Sequence, residues 1–122
     1  MLNILIAEDD AKARDCFAQF LRLKGHSVRE ATDGAEAVAV ASESPFDLVL
    51  MDVKMPRLDG ISAFRQIRAR FPNTPIVLVT TYTINEALER TLQEGAVVCL
   101  QKPLLFKDLE ALLDQVATHG HL

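Results

Sequence analysis

The chain has 122 residues, of which 49% are hydrophobic and 25% charged, a length and balance that suit one globular domain. The formal net charge of -4 argues against broad binding of nucleic acid, which needs a basic face to displace counterions. No apolar run approaches the roughly 20 residues of a membrane helix, no secretory signal is recognisable, and the two cysteines, Cys16 and Cys99, lack a paired spacing. We therefore expect a cytoplasmic protein with one domain over residues 1–118 and a short tail over 119–122.

The first half of the chain alternates strand and helix patterns. Apolar runs without polar alternation are typical of strands covered on both faces, whereas a more polar run is typical of an edge strand. Apolar residues three or four apart predict amphipathic helices between these runs. In chain order we predict a strand over 3–7, a helix with Ala13, Phe17, Phe20 and Leu21 inward and Gly25 at its end, an edge strand over 27–31, a helix from the Asp33 cap to about Ser42, and a central strand over 46–51 that leads into Asp52.

The second half continues the alternation. Glycines mark the start of one helix and the end of another, and a Thr-x-x-Glu spacing is typical of a helix start. In chain order we predict a helix from Gly60 with Ile61, Phe64, Ile67 and Phe71 inward, a turn over 72–75, a buried strand over 76–80, a helix from the cap at 83–86 to Gly95, a strand over 96–100, and a last helix with Leu105, Leu109, Leu112, Leu113 and Val116 inward. Residues 118–122 are expected to fray.

Strands separated by helices predict a parallel sheet with right-handed crossovers. In doubly wound sheets, functional sites form outside the carboxyl ends of the strands. The polar residues at or just past the ends of the predicted strands include Glu8, Asp9, Asp10, Asp52, Thr80, Thr81, Gln101 and Lys102. The topology therefore predicts that acids, a hydroxyl and a lysine meet on one small patch.

This patch has the composition of a phosphoryl-transfer site. Clustered carboxylates repel one another unless a cation lies between them, and Mg²⁺ is commonly held by one or two carboxylates together with phosphate oxygens. Lys102 offers a positive charge and Thr80 a hydroxyl to a phosphoryl group. Since a carboxylate can act as the nucleophile of phosphoryl transfer, Asp52 is the candidate acceptor.

With these residues in place, the chain resembles the receiver domain of two-component response regulators. The matching stretches are 4–10, 48–56, 58–60, 76–80, and Gly95-Ala96 followed by Lys102-Pro103. Each stretch is weak alone, but five in the right order are specific, and together they extend over residues 2 to about 117. The resemblance implies a flavodoxin-like (βα)5 fold, with a doubly wound five-stranded parallel sheet in the order 2-1-3-4-5.

The resemblance also implies residue roles. Asp52 would accept a phosphoryl group from a histidine kinase or phosphotransfer protein in a Mg²⁺-dependent reaction. Asp9 and Asp52 would hold the metal directly, Glu8 mostly through water, and the backbone carbonyl of Lys54 would complete the protein ligands. The phosphate would be bound by Thr80 and Lys102, and the Lys102-Pro103 bond is expected to be cis.

The implied output is a change in the face made by the fourth helix, fifth strand and fifth helix, which would control a downstream protein or output domain. Two copies could also pair through that face. The resemblance implies no direct binding of nucleic acid or membrane by this domain. It implies a phosphoacceptor with at most slow self-dephosphorylation rather than an enzyme.

Several positions keep alternatives open. Cys99 stands where family members commonly carry Tyr or Phe as part of the switch. Tyr82 is either a cover over the site or an exposed loop residue, and Asp10 is expected to be a helix cap rather than a member of the acid cluster. An aspartate-nucleophile phosphatase is disfavoured because Lys54 stands where a second Asp is usual. A flavin carrier is disfavoured because the acids after the first strand would repel a phosphate.

Overall fold

Our computed structural model describes residues 1–80, 86–95 and 98–120. Strands and helices alternate along the chain as predicted. The elements are β1 (Asn3–Ala7), α1 (Ala11–Leu23), β2 (Ser27–Ala31), α2 (Gly34–Glu43), β3 (Leu48–Asp52), α3 (Gly60–Arg70), β4 (Ile76–Thr80), α4 (Glu86–Gln93), β5 (Val98–Gln101) and α5 (Phe106–His119). Among the helices described, none is long and apolar enough to cross a membrane.

The five strands form one parallel sheet in the order β2-β1-β3-β4-β5, which confirms the predicted fold. β2 lies at the edge, as its more polar sequence indicated, and only two of its five side chains are buried. In β3 and β4 every residue is buried, which is what helices on both faces of a parallel sheet require.

Two apolar layers separate the sheet from its helices, because successive side chains of a strand point to opposite faces. One layer packs β-strand residues such as Leu5, Met51 and Leu78 against Phe64 of α3 and Leu88 of α4. The other packs Ile6, Leu50 and Val79 against α1 and α5. The sheet edge carrying the polar patch is therefore held between two rigid layers.

Aspartates begin the first three helices. The Asp10 side chain accepts from the amides of Lys12 and Ala13, at 3.0 and 3.4 Å, which confirms that Asp10 is a cap. Asp33 and Asp59 cap α2 and α3 in the same way. The predicted cap at 83–86 lies mostly outside the described residues.

The structure corrects several predicted boundaries and core residues. β3 begins at Leu48 rather than at 46, and β5 ends at Gln101, whereas residues 96 and 97 lie outside the described part. In α1 the buried residues are Ala18 and Leu21, and Ala13 is only partly buried. Leu105 precedes α5 and is 46% exposed, so it is not a core residue.

The last helix is longer than the sequence suggested. Residue 118 was expected to fray, but α5 continues through His119 and ends at Gly120, whose φ of 74° places it in the left-handed region. Glycine suits that position because it has no Cβ to oppose a positive φ. The domain boundary at 118 and the tail over 119–122 stay a prediction.

Candidate phosphoacceptor site

Strand pairing brings the predicted site residues to one edge of the sheet. Ala7 of β1 pairs with Met51 of β3, so Glu8 follows directly beside Asp52. Thr80 ends β4 and pairs with Gln101 of β5, and the amide of Lys102 donates to the Thr80 carbonyl at 2.7 Å. The backbone thus places Glu8 and Asp52 at the ends of the neighbouring strands β1 and β3, and Lys102 at the same edge beyond β4, after β5.

The turn after β3 is fixed by a close backbone contact. The Gly60 amide donates to the carbonyl of Val53 at 2.8 Å. A Cβ at position 60 would overlap the carbonyl of Asp52, so only glycine allows α3 to begin this close to the strand end. This contact folds the chain after Asp52 back onto the sheet.

Three carboxylates converge on this edge. Glu8, Asp9 and Asp52 each offer an oxygen, and these oxygens lie within 4.8 Å of one another. The side chains of Glu8 and Asp52 are buried, whereas Asp9 is exposed to solvent. The arrangement is the acidic cluster that the sequence predicted, with Asp10 excluded from it by its capping role.

Lys102 bridges two members of the cluster. Its Nζ lies 2.8 Å from Oδ2 of Asp52 and 2.9 Å from Oε1 of Glu8. The other Asp52 oxygen, Oδ1, accepts from the amide of Lys54 at 3.2 Å. Lys102 therefore holds two carboxylates together that would otherwise repel one another, and its own bond to Pro103 is cis as expected.

Burial and charge shift two pKa values in this cluster. Burial is the main cause that raises the pKa of Glu8 from 4.5 to about 7, the proximity of Asp52 adds to it, and Lys102 opposes it. Burial alone would lower the pKa of Lys102, but its bonds to Asp52 and Glu8 outweigh burial and raise it. Lys102 is thus firmly charged, while Glu8 is poised to bind a proton or a cation.

The donor set fits a divalent metal ion. Three carboxylates and one lysine leave a charge of about -2 when all are ionised. Oε2 of Glu8 is buried and, among the described residues, has no hydrogen-bond partner. An unsatisfied buried carboxylate oxygen is costly, and oxygen ligands are what Mg²⁺ prefers. The acidic cluster is typical of a magnesium site.

Two cavities border Asp52. An open cleft of about 560 Å³ is lined by Asp9, Lys54 and Pro56 as well as by Asp52 and Lys102. An apolar cavity of about 470 Å³ lies on the α1 side, with Phe17 and Leu104 among its lining residues. The sequence did not predict this second cavity, because its wall is made by side chains from four separate segments.

The remaining predicted residues are placed as follows. Thr80 is buried at the end of β4. Lys54 lines the open cleft beside Asp52. Cys99 is half-buried on β5 and packs against the layer that contains Phe64, and burial raises the pKa of its thiol. Tyr82 lies outside the described residues, so its role stays a prediction.

Sequence reasoning missed Arg14. Its guanidinium donates through Nη1 to the carbonyl of Glu8 at 2.7 Å, so it contacts the acidic loop from α1. Its position one helical turn after the acids was a possible signal. An arginine at that position is equally compatible with a solvated side chain, and the sequence alone did not distinguish the two.

A five-stranded parallel sheet with an acid cluster and a lysine at its carboxyl edge defines a class of α/β phosphoacceptor proteins. Comparison with known families is specific. A response regulator receiver domain model matches residues 4–114, and the chain belongs to that family. It is therefore part of two-component signal transduction, and it is a phosphoacceptor rather than an enzyme in the ordinary sense.

Similar proteins support this placement. The transcriptional regulatory protein PdtaR of Mycobacterium tuberculosis is 45% identical over 108 residues, which are 88% of this chain and 52% of PdtaR. The transcriptional regulatory protein ZraR of Escherichia coli K12 is 36% identical over 120 residues, which are 98% of this chain and 27% of ZraR. The chain thus spans between about a quarter and a half of these relatives' lengths.

Solved structures of similar proteins also support membership of the receiver-domain family. The receiver domain of a Pseudomonas aeruginosa sensor histidine kinase, with a magnesium ion coordinated in its active site cleft, is 34% identical, and the match covers 93% of this chain and 95% of that one with a TM-score of 0.84. A two-component response regulator from Clostridium difficile is 25% identical with a TM-score of 0.90, and the match covers 98% of both chains.

Proposed function

We propose that Asp52 accepts a phosphoryl group from a histidine kinase or phosphotransfer protein in a Mg²⁺-dependent reaction. The observation that carries this proposal is the position of Asp52: a buried carboxylate that borders an open cleft and contacts Lys102 within the acid cluster. Glu8, Asp9, Asp52 and the backbone carbonyl of Lys54 would hold Mg²⁺. The metal, when bound, would neutralise charge on the incoming phosphoryl group.

Asp52, Lys102 and Thr80 would have separate roles in the proposed phosphoryl transfer. An oxygen of Asp52 would form the new P–O bond as the P–N bond to the donor histidine breaks, and the electron pair of the broken bond leaves on the imidazole. Lys102 Nζ already lies within hydrogen-bond distance of Asp52, so it can donate to a phosphoryl oxygen with little movement. The Thr80 hydroxyl would donate to another oxygen.

The proposed output follows from the backbone link between Thr80 and Lys102. Because the Lys102 amide donates to the Thr80 carbonyl, a phosphoryl group that draws both side chains would move β4 and β5 together. The face made by α4, β5 and α5 would then change population between two arrangements and control a partner or an output domain. A homodimer through this face is a further proposal.

The proposal predicts one specific modification. Incubation of the chain with Mg²⁺ and acetyl phosphate should add one phosphoryl group by intact mass, and a chelator should prevent it. Asp52→Asn should abolish the adduct, because the amide cannot act as the nucleophile. Asp59→Asn is the matched control: it makes the same change at the α3 cap, where Asn also caps well, and should retain full modification.

Two results would argue against this function. One is an adduct that persists in Asp52→Asn, which would place the acceptor elsewhere. The other is a folded parent protein that binds Mg²⁺ yet takes no phosphoryl group from acetyl phosphate or from a phosphorylated histidine donor.

A further inference from the structure

Arg14 connects α1 to the loop that supplies two of the three carboxylates. Its side chain is only 16% exposed, which is low for an arginine. Nη1 donates to the carbonyl of Glu8 at 2.7 Å, and Nε lies 3.4 Å from Oε1 of Glu30 on β2. Arg14 is therefore fixed from two sides, by an edge strand and by the acidic loop.

The backbone of Glu8 is held at both of its polar groups. Its amide donates to the carbonyl of Ala31 at 3.0 Å, and its carbonyl accepts from Arg14. The peptide that links Glu8 to Asp9 contains this carbonyl. Rotation of that peptide would turn both carboxylates relative to Asp52, so the Arg14 contact opposes that rotation.

Such a restraint matters because the cluster repels itself. The oxygens of the three carboxylates lie within 4.8 Å of one another. When no cation is bound, the electrostatic repulsion between the ionised groups falls if they move apart. Glu8 and Asp52 are held by Lys102, whereas Asp9 is exposed and lies directly after the peptide that Arg14 fixes. If the ligands are already held in place, less entropy is lost and less work against their mutual repulsion is needed when the metal binds.

We propose that Arg14 is a positioning residue for the metal site, acting through the backbone carbonyl of Glu8 and oriented by Glu30. This inference rests on the proposed Mg²⁺ site formed by Glu8, Asp9 and Asp52. It makes a prediction about the sign of the effect. If the guanidinium acted through its charge, its removal would tighten Mg²⁺ binding, but if it positions the loop, its removal weakens Mg²⁺ binding.

The experiment measures Mg²⁺ affinity directly, by isothermal titration calorimetry on the full chain. Arg14→Gln should weaken Mg²⁺ binding about ten-fold, in the range seen when groups that orient metal ligands are removed. Arg14→Lys keeps the charge but loses the forked contact to both partners, so it should weaken binding to an intermediate degree.

Arg22 provides the matched control. It lies on the same helix and shares Glu30, with Nη2 3.3 Å from Oε2 of Glu30 and 3.0 Å from the carbonyl of Val28. Within the described part of the chain, none of the polar contacts of Arg22 involves the acidic loop. Arg22→Gln should therefore leave Mg²⁺ affinity unchanged even where it lowers the melting temperature. Glu30→Gln removes the charge that Arg14 contacts on β2, so it should weaken Mg²⁺ binding to a smaller degree than Arg14→Gln does.

The outcomes separate this inference from the proposed function. If the parent binds Mg²⁺ and Arg14→Gln binds it within two-fold or more tightly, the positioning role is overturned while the proposed site survives. If Arg14→Gln does not fold, Arg14→Lys and Glu30→Gln decide the question by the same criterion. If the folded parent itself binds no Mg²⁺, the proposed site fails and the inference fails with it.

Discussion

Burial and the neighbouring Asp52 both raise the pKa of Glu8, and Lys102 opposes them. With its pKa raised to about 7, a proton on Glu8 favours the folded state, and this contribution is complete below the ordinary value of 4.5. It is lost as the pH rises through about 7, where the folded protein must accept an ionised Glu8 beside Asp52. A metal ion would replace the proton there and restore the lost stability.

This conflict predicts a pH-dependent response to Mg²⁺. The rise in melting temperature on adding Mg²⁺ should be clearly larger at about pH 8 than at about pH 6, because the proton on Glu8 competes with the metal only at the lower pH. Thermal melts with and without Mg²⁺ at both pH values would measure it.

Glu8→Gln cannot ionise, so it should remove most of the difference between the two pH values. Glu43→Gln is the control, since Glu43 pairs with Arg29 on the exposed surface and lies outside the cluster. An equal Mg²⁺ response at both pH values in the parent would contradict the role given to Glu8.

At the residue scale, sequence reasoning succeeded where a side chain's role is decided by its immediate neighbours. Asp10 and Asp33 were predicted as caps, and each accepts from amides two or three residues ahead. The contact between Arg14 and Glu8 was missed because it depends on the rotation of α1 about its own axis. That rotation is set by packing against the sheet, which a local pattern does not specify.

At the element scale, apolarity predicted burial better than it predicted strand pairing. Residue 46 was placed in β3 because it is apolar, and Phe46 does pack against the core. Asp47 precedes the strand instead: its side chain accepts from the Asn3 amide, and its own amide donates to the Asn3 carbonyl. Leu105 fits the spacing of α5 but lies before the first helical residue, where the chain is still near the surface.

The attachment of α3 to the turn that follows α4 gives a prediction at this scale. Arg68 on α3 donates to the carbonyls of Phe71 and Pro72, at 3.2 and 2.9 Å, and to that of Gly95 at 2.9 Å. Arg68→Ala should lower the free energy of unfolding by about 1–3 kcal/mol, because three carbonyls, of which that of Phe71 is partly buried, lose their donor. Urea unfolding followed by circular dichroism would measure this.

The control for Arg68 is Arg70 on the same helix. Arg70 makes one exposed hydrogen bond, from Nη1 to the hydroxyl of Ser42 at 2.9 Å, so Arg70→Ala should change stability much less. Equal losses in the two variants would show that the three carbonyl contacts of Arg68 add little to stability.

At the scale of the whole molecule, the sheet connects the proposed acceptor site at the end of β3 to the proposed output face, which includes β5. The parallel sheet and the position of the acid cluster were predictable from the alternating patterns and the polar residues at strand ends. The strand order came from the resemblance to receiver domains, and the structure has that order. The output side was less predictable. Cys99 stands where the resemblance to receiver domains implies an aromatic residue, and its half-buried side chain packs against the layer that contains Phe64.

Without an aromatic ring at this position, the proposed signal must pass mainly through Thr80 and its backbone link to Lys102. We expect Thr80→Ala to take a phosphoryl group at Asp52 to the same extent as the parent by intact mass. Hydrogen exchange over α4, β5 and α5 should change on phosphorylation in the parent but not in Thr80→Ala. A coupling of about 1–3 kcal/mol corresponds to changes of about 5- to 150-fold in exchange rate where opening follows the switch.

Thr32→Ala is the matched control for this experiment. Thr32 directly follows β2, the outer strand at the opposite end of the sheet from β5, and its hydroxyl donates to Glu36 at the start of α2. Loss of this hydroxyl should therefore leave the exchange response intact. If Thr80→Ala responds like the parent at equal phosphoryl occupancy, the signal does not depend on the threonine hydroxyl. The backbone bond from Lys102 to the Thr80 carbonyl is then one link that could still carry the signal, because substitution of the Thr80 side chain leaves that bond in place.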